Sequence, residues 1–160
     1  MLGLKCYQGE VNMKPQKENV RTLPFKEEDI RHVIMNPKQH NIRKYKEYRK
    51  LDEQNWIEDY GDGAIEQFTI IKNTSKKIVL KNYPVGSSSK KVYTTSFTFH
   101  PNTDGTCTLE ILLDLKKGNI FRQITYLFDA LTNMEEYYDN MFKKISYECS
   151  KIAEPVTADK

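Results

Sequence analysis

The sequence has few cysteines, and their placement argues against a disulfide framework. Its 160 residues include 3 cysteines, Cys6, Cys107 and Cys149, which are odd in number and far apart. They form no CxxC pair, so we expect no structural zinc site and no other metal centre. Scattered thiols of this kind are typical of a reducing compartment, and we therefore predict a cytoplasmic protein.

The sequence also lacks a long apolar run and an excess of one charge. No segment approaches the roughly 20 apolar residues that a membrane helix needs, and the first residues include too short an apolar stretch for a secretion signal. Lys and Arg total 25 against 22 Asp and Glu, which gives no overall field for nucleic acid. We expect a soluble globular protein with no nucleic-acid partner and no stable membrane insertion, although transient membrane contact stays open.

The longest regular pattern is an amphipathic stripe in the last third of the chain. Apolar residues recur in steps of three and four from Ile120 to Ile152, which predicts one long helix. Upstream, residues 20–23 and several segments between 45 and 115 read as strands, and residues 92–100 alternate most cleanly. Two short helices are predicted between the first strand and the later ones. The acidic residues after Lys26 are typical of a helix start, and this helix ends at Asn36. Pro37 is placed to begin the second helix, which runs through Lys44.

This order predicts an α+β fold with a curved antiparallel sheet of about six to seven strands around the long C-terminal helix, which alone can cover the apolar face. We expect residues 1–18 to be an N-terminal extension, either loose or adding an edge strand. Residues 19–154 are expected to form a single domain, and residues 155–160 a flexible tail. Met13 is an alternative natural start, in which case residues 1–12 are not part of the natural protein.

Three segments resemble the START-like helix-grip superfamily (SRPBCC), which includes polyketide cyclase/dehydratase and Bet v 1-like proteins. Residues 24–37 resemble its opening, in which a strand ends at proline and a short helix closes on Asn-Pro. Residues 55–63 resemble its early hairpin, and residues 97–110 with 119–122 resemble the last strand and helix start of bacterial members. The likeness rests on turns and element ends. Residues 39–44 depart from it, because many relatives place a tryptophan there.

The resemblance implies an apolar cavity, since a curved sheet and a straight helix cannot stay in contact everywhere. Such a cavity would bind a hydrophobic or amphipathic small molecule, such as a lipid, quinone, polyketide or isoprenoid, for transport, sensing or sequestration, with no cofactor. For each residue of the lining, the alternative is that it simply fills the core. We predict that the lining consists of Trp56, Phe68, Ile70, Tyr93, Phe97, Phe99, Phe128, Leu131, Met134 and Tyr138.

The histidines mark no catalytic or metal site. His32, His40 and His100 lie far apart and lack the HxH or HExxH spacing of metal ligands. None has a Ser, Cys or Asp near it in sequence that would suggest a catalytic triad. We expect all three at the surface or in loops, and we assign no catalytic residue.

Carboxylates gather around the glycine turn at residues 61–63. Glu58, Asp59, Asp62 and Glu66 lie within a few residues of this turn. Paired carboxylates can serve in acid–base chemistry when their surroundings separate their pKa values. On a hairpin tip they are more often solvated, and that is our prediction here.

Residues 43–50 form the most basic segment, with two tyrosines interleaved. As a strand, the segment would protect an exposed sheet edge from aggregation, which is the interpretation that we favour. The functional alternative is that it contacts a polar or anionic head group at the mouth of the cavity.

Two other functions stay open at this stage. The first is a cyclase- or dehydratase-like enzyme that uses the same cavity, and it would need a polar acid–base pair inside. The second is an interaction module without a pocket, acting through the basic strand or the N-terminal extension. Binding without catalysis is the function that we favour.

Overall fold

The computed structural model describes residues 18–86, 91–116 and 120–157, with side chains described at all of these except 115–116 and 120–133. Strands make up the middle of the chain, and a long helix follows them. The elements in chain order are β1 (Val20–Leu23), α1 (Glu27–Met35), β2 (Glu47–Lys50), β3 (Asn55–Asp59), β4 (Ile65–Asn73), β5 (Lys77–Pro84), β6 (Val92–Pro101), β7 (Cys107–Lys116) and α2 (Ile120–Ser150).

The strands form one antiparallel, curved sheet of 7 strands in the order β1-β7-β6-β5-β4-β3-β2. From β2 to β7 each strand pairs with the next in the chain, whereas β1 pairs with the last strand, Val20 lying opposite Glu110. The register shifts between Ile70 and Lys72 in β4, a bulge that bends the strand. The predicted α+β class, the antiparallel sheet and the C-terminal helix are confirmed.

One face of the sheet carries the hydrophobic core, and we call it the inner face. Phe97 and Phe99 of β6 are buried there, together with Leu109 and Ile111 of β7. Leu112, which points to the opposite, outer face, is 49 % exposed. Because side chains alternate along a strand, the sequence pattern alone assigns these residues to their faces.

α1 follows its sequence prediction, but the prediction of a second short helix was wrong. Residues 37–44 form turns instead. The Asn41 side chain accepts a hydrogen bond from the Tyr45 N–H (3.0 Å) and donates one to the Tyr45 carbonyl (2.8 Å). Lys44 has φ 59°, a left-handed conformation that does not fit a helix. Local side-chain bonds of this kind compete with helix formation.

The C-terminal half of α2 packs on the inner face near β1 and β7. Phe142 and Ile145 are buried in the core. Arg21 of β1 donates a hydrogen bond to Asp139 (2.9 Å), and its guanidinium lies 4.8 Å from the Phe142 ring centroid. The Tyr138 hydroxyl accepts a hydrogen bond from the Leu113 N–H (3.1 Å). Within the described ranges, no helix combines the length and apolar character that crossing a membrane requires.

We expect Tyr138→Phe to lower the free energy of unfolding by about 0.5–1.5 kcal/mol, because it removes the acceptor of the part-buried Leu113 N–H. The Leu113 N–H lies beyond the stretch of β7 that β1 pairs with, so Tyr138 takes the place of a strand partner. Urea unfolding measures the effect. Tyr147→Phe, at an exposed position of the same helix, is the control, and equal losses in the two variants would refute this role of Tyr138.

Candidate ligand-binding site

The predicted lining residues on β3 and β4 form an aromatic wall at one end of the inner face. Trp56 and Phe68 lie directly opposite each other, with stacked rings whose centroids are 5.5 Å apart. Both are buried, and Ile70 beside them is half-buried. Tight stacking of two large rings gives this part of the face a fixed shape.

The other predicted lining residues lie further along the inner face. Phe97 and Phe99 are enclosed in the middle of the core, and Tyr93 is half-buried at the far end of β6. On α2, Tyr138 is buried and Met134 packs against the core from its margin. Phe128 and Leu131 lie outside the described side chains. The structure thus brings the described members to one face, and their contact with a ligand stays a prediction.

A cleft of about 520 Å³ opens where the end of α1 meets the β2–β3 hairpin. Ligand sites typically measure about 300–1,000 Å³, so the cleft has a suitable size for a small molecule. Its apolar lining comes from Met35, Pro37, Trp56 and Ile70. Charged residues stand around it, namely Lys38, Arg49, Lys50, Asp52 and Glu53.

Behind the aromatic wall, the inner face holds a buried ion pair that the sequence prediction missed. Glu58 is 0 % exposed and accepts hydrogen bonds from Arg43 Nε (2.9 Å) and Nη2 (2.5 Å). Trp56 Nε1 donates to the same carboxylate (2.9 Å), and so does the Tyr60 hydroxyl. The expectation of a solvated Glu58 was wrong, because β3 continues past the tryptophan and places Trp56 and Glu58 on the same face.

The electrostatics of this cluster fix its charge states. Burial opposes the ionisation of Glu58, but the Arg43 charge and the hydrogen bonds outweigh it and hold the pKa of Glu58 below its ordinary value. Burial acts to lower the pKa of Arg43, but the hydrogen bond and the charge of Glu58 outweigh burial. The pKa of Arg43 therefore lies above its ordinary value. Burial and the Glu58 charge raise the pKa of Tyr60. At neutral pH the cluster therefore holds a carboxylate, a guanidinium and a neutral phenol.

Arg43 also belongs to the aromatic wall. Its guanidinium carbon lies 4.5 Å from the Phe68 ring centroid and 5.9 Å from that of Trp56. Cation–π contact of this kind is stronger when the cation is removed from water. The ion pair thereby holds Trp56 from two directions, by its indole N–H and by its ring.

A second carboxylate lies beside this cluster. Glu66 of β4 is directly opposite Glu58 on the same inner face and is half-buried. Asn82 of β5 donates a hydrogen bond from Nδ2 to Glu66 Oε2. The charge of Glu66 also contributes to the raised pKa of Tyr60. The alternation from Trp56 through Glu58 to Tyr60, with Glu66 opposite, was the sequence signal that could have revealed both carboxylates.

The basic segment behaves largely as predicted. β2 is an edge strand of the sheet, and the basic side chains of Lys44, Lys46, Arg49 and Lys50 are exposed. Arg43 is the exception, because it turns inward to Glu58. The surface charge of this segment therefore fits a protected edge.

The histidines lie at exposed positions or, for His40, in a loop, as predicted, but the His40 side chain is buried. His32 and His100 are exposed, but His40 is only 6 % exposed, and its Nδ1 lies 3.9 Å from Glu148 Oε2. Glu148 in turn pairs with Lys151 at 2.7 Å. Among the residues that the structure describes, no three His, Cys, Asp or Glu side chains are placed to hold a metal ion.

Comparison with known proteins supports the fold. No protein-family model matches the chain, and no curated protein matches it. A conserved protein from Geobacillus kaustophilus has a TM-score of 0.60 and 16% identity, over 82% of this chain and 93% of that one. TTHA0849 from Thermus thermophilus has a TM-score of 0.53 and 13% identity, over 84% and 97%. DynU16, from the dynemicin biosynthetic locus, has a TM-score of 0.59 and 8% identity, over 88% and 48%, so this chain spans about half of it. Identities this low show a shared fold and no more.

Proposed function

We propose that this chain is a START-like helix-grip protein that binds a hydrophobic or amphipathic small molecule at the edge of the inner face, between the end of α1 and the β2–β3 hairpin. The observation that carries the proposal is the cleft of about 520 Å³, which contains the predicted lining residues Trp56 and Ile70. Two observations support the superfamily: the chain shares its fold with TTHA0849, and its own sheet is followed by the long C-terminal helix that the sequence resemblance implies.

Apolar contacts with the lining would contribute to binding at about 25 cal/mol per Å² of apolar surface removed from water, and the polar lining residues would supply hydrogen bonds. The wall is held before any ligand arrives, because Trp56 stacks on Phe68 and donates to Glu58. A site that is already ordered loses little conformational entropy on binding. The charged residues around the cleft would keep the polar part of an amphipathic ligand at the opening.

The buried ion pair favours binding over catalysis. A general acid must hold a proton at working pH, whereas Arg43 keeps Glu58 ionised. A general base needs a free oxygen, and both oxygens of Glu58 already accept hydrogen bonds. Glu58 therefore acts as a support for the aromatic wall in this proposal.

Native mass spectrometry of freshly purified protein tests the proposal. We expect a co-purifying mass of lipid size on the native protein, and we expect Ile70→Trp to lose most of it because the larger ring fills the cleft. Leu112→Trp, on the outer face, adds the same ring and should retain the ligand. Equal retention in the two variants would count against the cleft as the site. A native protein without such a mass, and without affinity for dodecanoate or dodecanol in a titration followed by Trp56 fluorescence, would refute the function.

A further inference from the structure

Among the described residues, β2 forms one edge of the sheet and pairs with β3 alone. The Leu51 N–H donates to the Asn55 carbonyl (2.9 Å), and in an antiparallel pair every second residue bonds to the partner strand. The N–H and C=O groups of Tyr48 and Lys50 therefore point away from β3. These are the groups with which a further strand would pair.

A cleft lies on each face of this edge strand. The cleft of about 520 Å³ on the inner face and a second cleft of about 250 Å³ both include Tyr48 and Arg49 in their lining. The second cleft also contains Ile57, which points to the outer face because it follows the inward Trp56. Successive side chains of a strand point to opposite faces, so a strand added to β2 would direct its side chains alternately toward the two clefts.

The charge around β2 restricts which strand could be added. Residues 44–50 have one carboxylate, that of Glu47, and a net charge of +3, and their exposed basic side chains are those of Lys44, Lys46, Arg49 and Lys50. A second copy of this chain would place like charges beside each other, so the residues that protect the edge disfavour self-pairing. A strand that carries carboxylates would be attracted by the same residues.

We propose that β2 binds an acidic, extended segment of a partner protein as an additional strand, an interaction that goes beyond the small-molecule binding proposed above. The backbone of the segment pairs with Tyr48 and Lys50. One of its apolar side chains enters the inner cleft beside Trp56 and Ile70, and its carboxylates lie near the basic side chains of β2. Because that apolar side chain occupies the cleft, the partner and a small molecule would compete.

Fluorescence anisotropy of a fluorescein-labelled peptide, Glu-Glu-Val-Leu-Val-Glu-Glu, tests the proposal on the full chain. We expect saturable binding of this peptide. One control peptide has lysine in place of every glutamate, and the other carries N-methyl groups on its central amides, which removes the donors that would pair with β2. Both controls should bind about 10-fold more weakly or worse, because each lacks one source of affinity, charge or backbone pairing.

Lys50→Pro tests the backbone contact from the side of the protein. The Lys50 N–H points to the open side, so proline leaves the pairing with β3 intact while its ring occupies the edge. Lys50→Ala removes the same charge but keeps the N–H, and we expect Lys50→Pro to bind the peptide about 10-fold more weakly than Lys50→Ala. Arg49→Glu should weaken binding about 5-fold, whereas Lys81→Glu, the same reversal at an exposed position of β5, should not.

Equal binding of the N-methylated peptide, or equal affinity in Lys50→Pro and Lys50→Ala, would overturn strand addition, since charge alone would then hold the peptide. The N-methylated peptide decides this point even if Lys50→Pro folds poorly. Equal affinity for the lysine peptide would overturn the acidic partner. Absence of peptide binding would overturn the whole proposal and leave the proposed function standing, because native mass spectrometry detects the small molecule on protein without peptide.

Discussion

Replacing Arg43 with methionine should lower the free energy of unfolding by about 3–5 kcal/mol, because it leaves a buried carboxylate without its counter-charge. Glu58 is entirely enclosed, so water cannot take the place of the guanidinium. Methionine keeps a long apolar side chain against Phe68, and the loss is therefore mainly electrostatic. Urea denaturation at neutral pH, followed by circular dichroism, measures it.

The pH dependence of this loss identifies its cause. In the native protein the pKa of Glu58 lies below its ordinary value of 4.5. The Arg43–Glu58 pair therefore stabilises the folded protein at pH values above the ordinary pKa of Glu58. This stabilisation is lost as the pH falls toward the lower pKa of Glu58 in the folded state. In Arg43→Met, burial without the cation raises the pKa of Glu58, so the variant takes up a proton more readily and avoids the buried charge. The stability gap between the two proteins should be widest near neutral pH and should narrow on acidification.

Two further variants act as controls for this prediction. Lys50→Met breaks the exposed pair between Lys50 and Glu53, which joins atoms 2.8 Å apart, and should cost no more than about 1 kcal/mol. The double variant Arg43→Met, Glu58→Leu removes both charges and should recover much of the stability that the single variant loses. The prediction would be contradicted if Arg43→Met lost no more unfolding free energy than Lys50→Met. It would also be contradicted if the stability difference between Arg43→Met and the native protein did not change with pH.

The parts of the fold that follow from local periodicity were predictable. The apolar stripe defines α2 because residues three and four apart share one face of a helix. The alternation of β6 likewise assigns Phe97 and Phe99 to the core, where the structure has them. Glycine turns at Gly61 and Gly105, both with positive φ, mark where strands end. Each of these signals lies within one element, so no knowledge of the partner element is needed.

The turn region and the polar cluster were not predictable in this way. Pro37 suits a helix start, but the bonds between Asn41 and Tyr45 stabilise turns over the same residues. Arg43 and Glu58 are 15 residues apart in sequence, and only the pairing of β2 with β3 and the direction of the preceding turn bring them together. A charge pattern in a single sequence does not show which cation will turn inward.

The candidate site was likewise predictable only in part. The sequence predicted a lining of aromatic and aliphatic side chains, and two of them, Trp56 and Phe68, lie opposite each other on the inner face, while their contact with a ligand stays a prediction. It did not distinguish Ile70, which lines an open cleft, from Phe97, which is enclosed. Both are apolar residues at inward positions. What separates them is the cover supplied by elements distant in sequence, which encloses Phe97 and leaves the cleft beside Ile70 open.

Phe97→Ala is the second large expected effect, a loss of about 3–5 kcal/mol in the free energy of unfolding. Phe97 is 0 % exposed and lies opposite Ile78 on β5 and Ile111 on β7, which are equally enclosed. Truncation to alanine would leave a void at the centre of the inner face, because neighbours held in paired strands can collapse only in part. Urea unfolding measures the loss, with Leu112→Ala on the outer face of β7 as the control at about 1 kcal/mol or less.

The same pair of variants decides which role Phe97 has. If it fills the core, the void removes many close contacts, and the loss in Phe97→Ala exceeds that in Leu112→Ala several-fold. If the ring instead stands at the wall of an existing cavity, part of its surface already lacks neighbours, and the two losses approach each other. The enclosure of Phe97 leads us to expect the first result. Ligand binding would then depend on Trp56 and Ile70, and a stabilised background carrying Phe97→Ala should retain it.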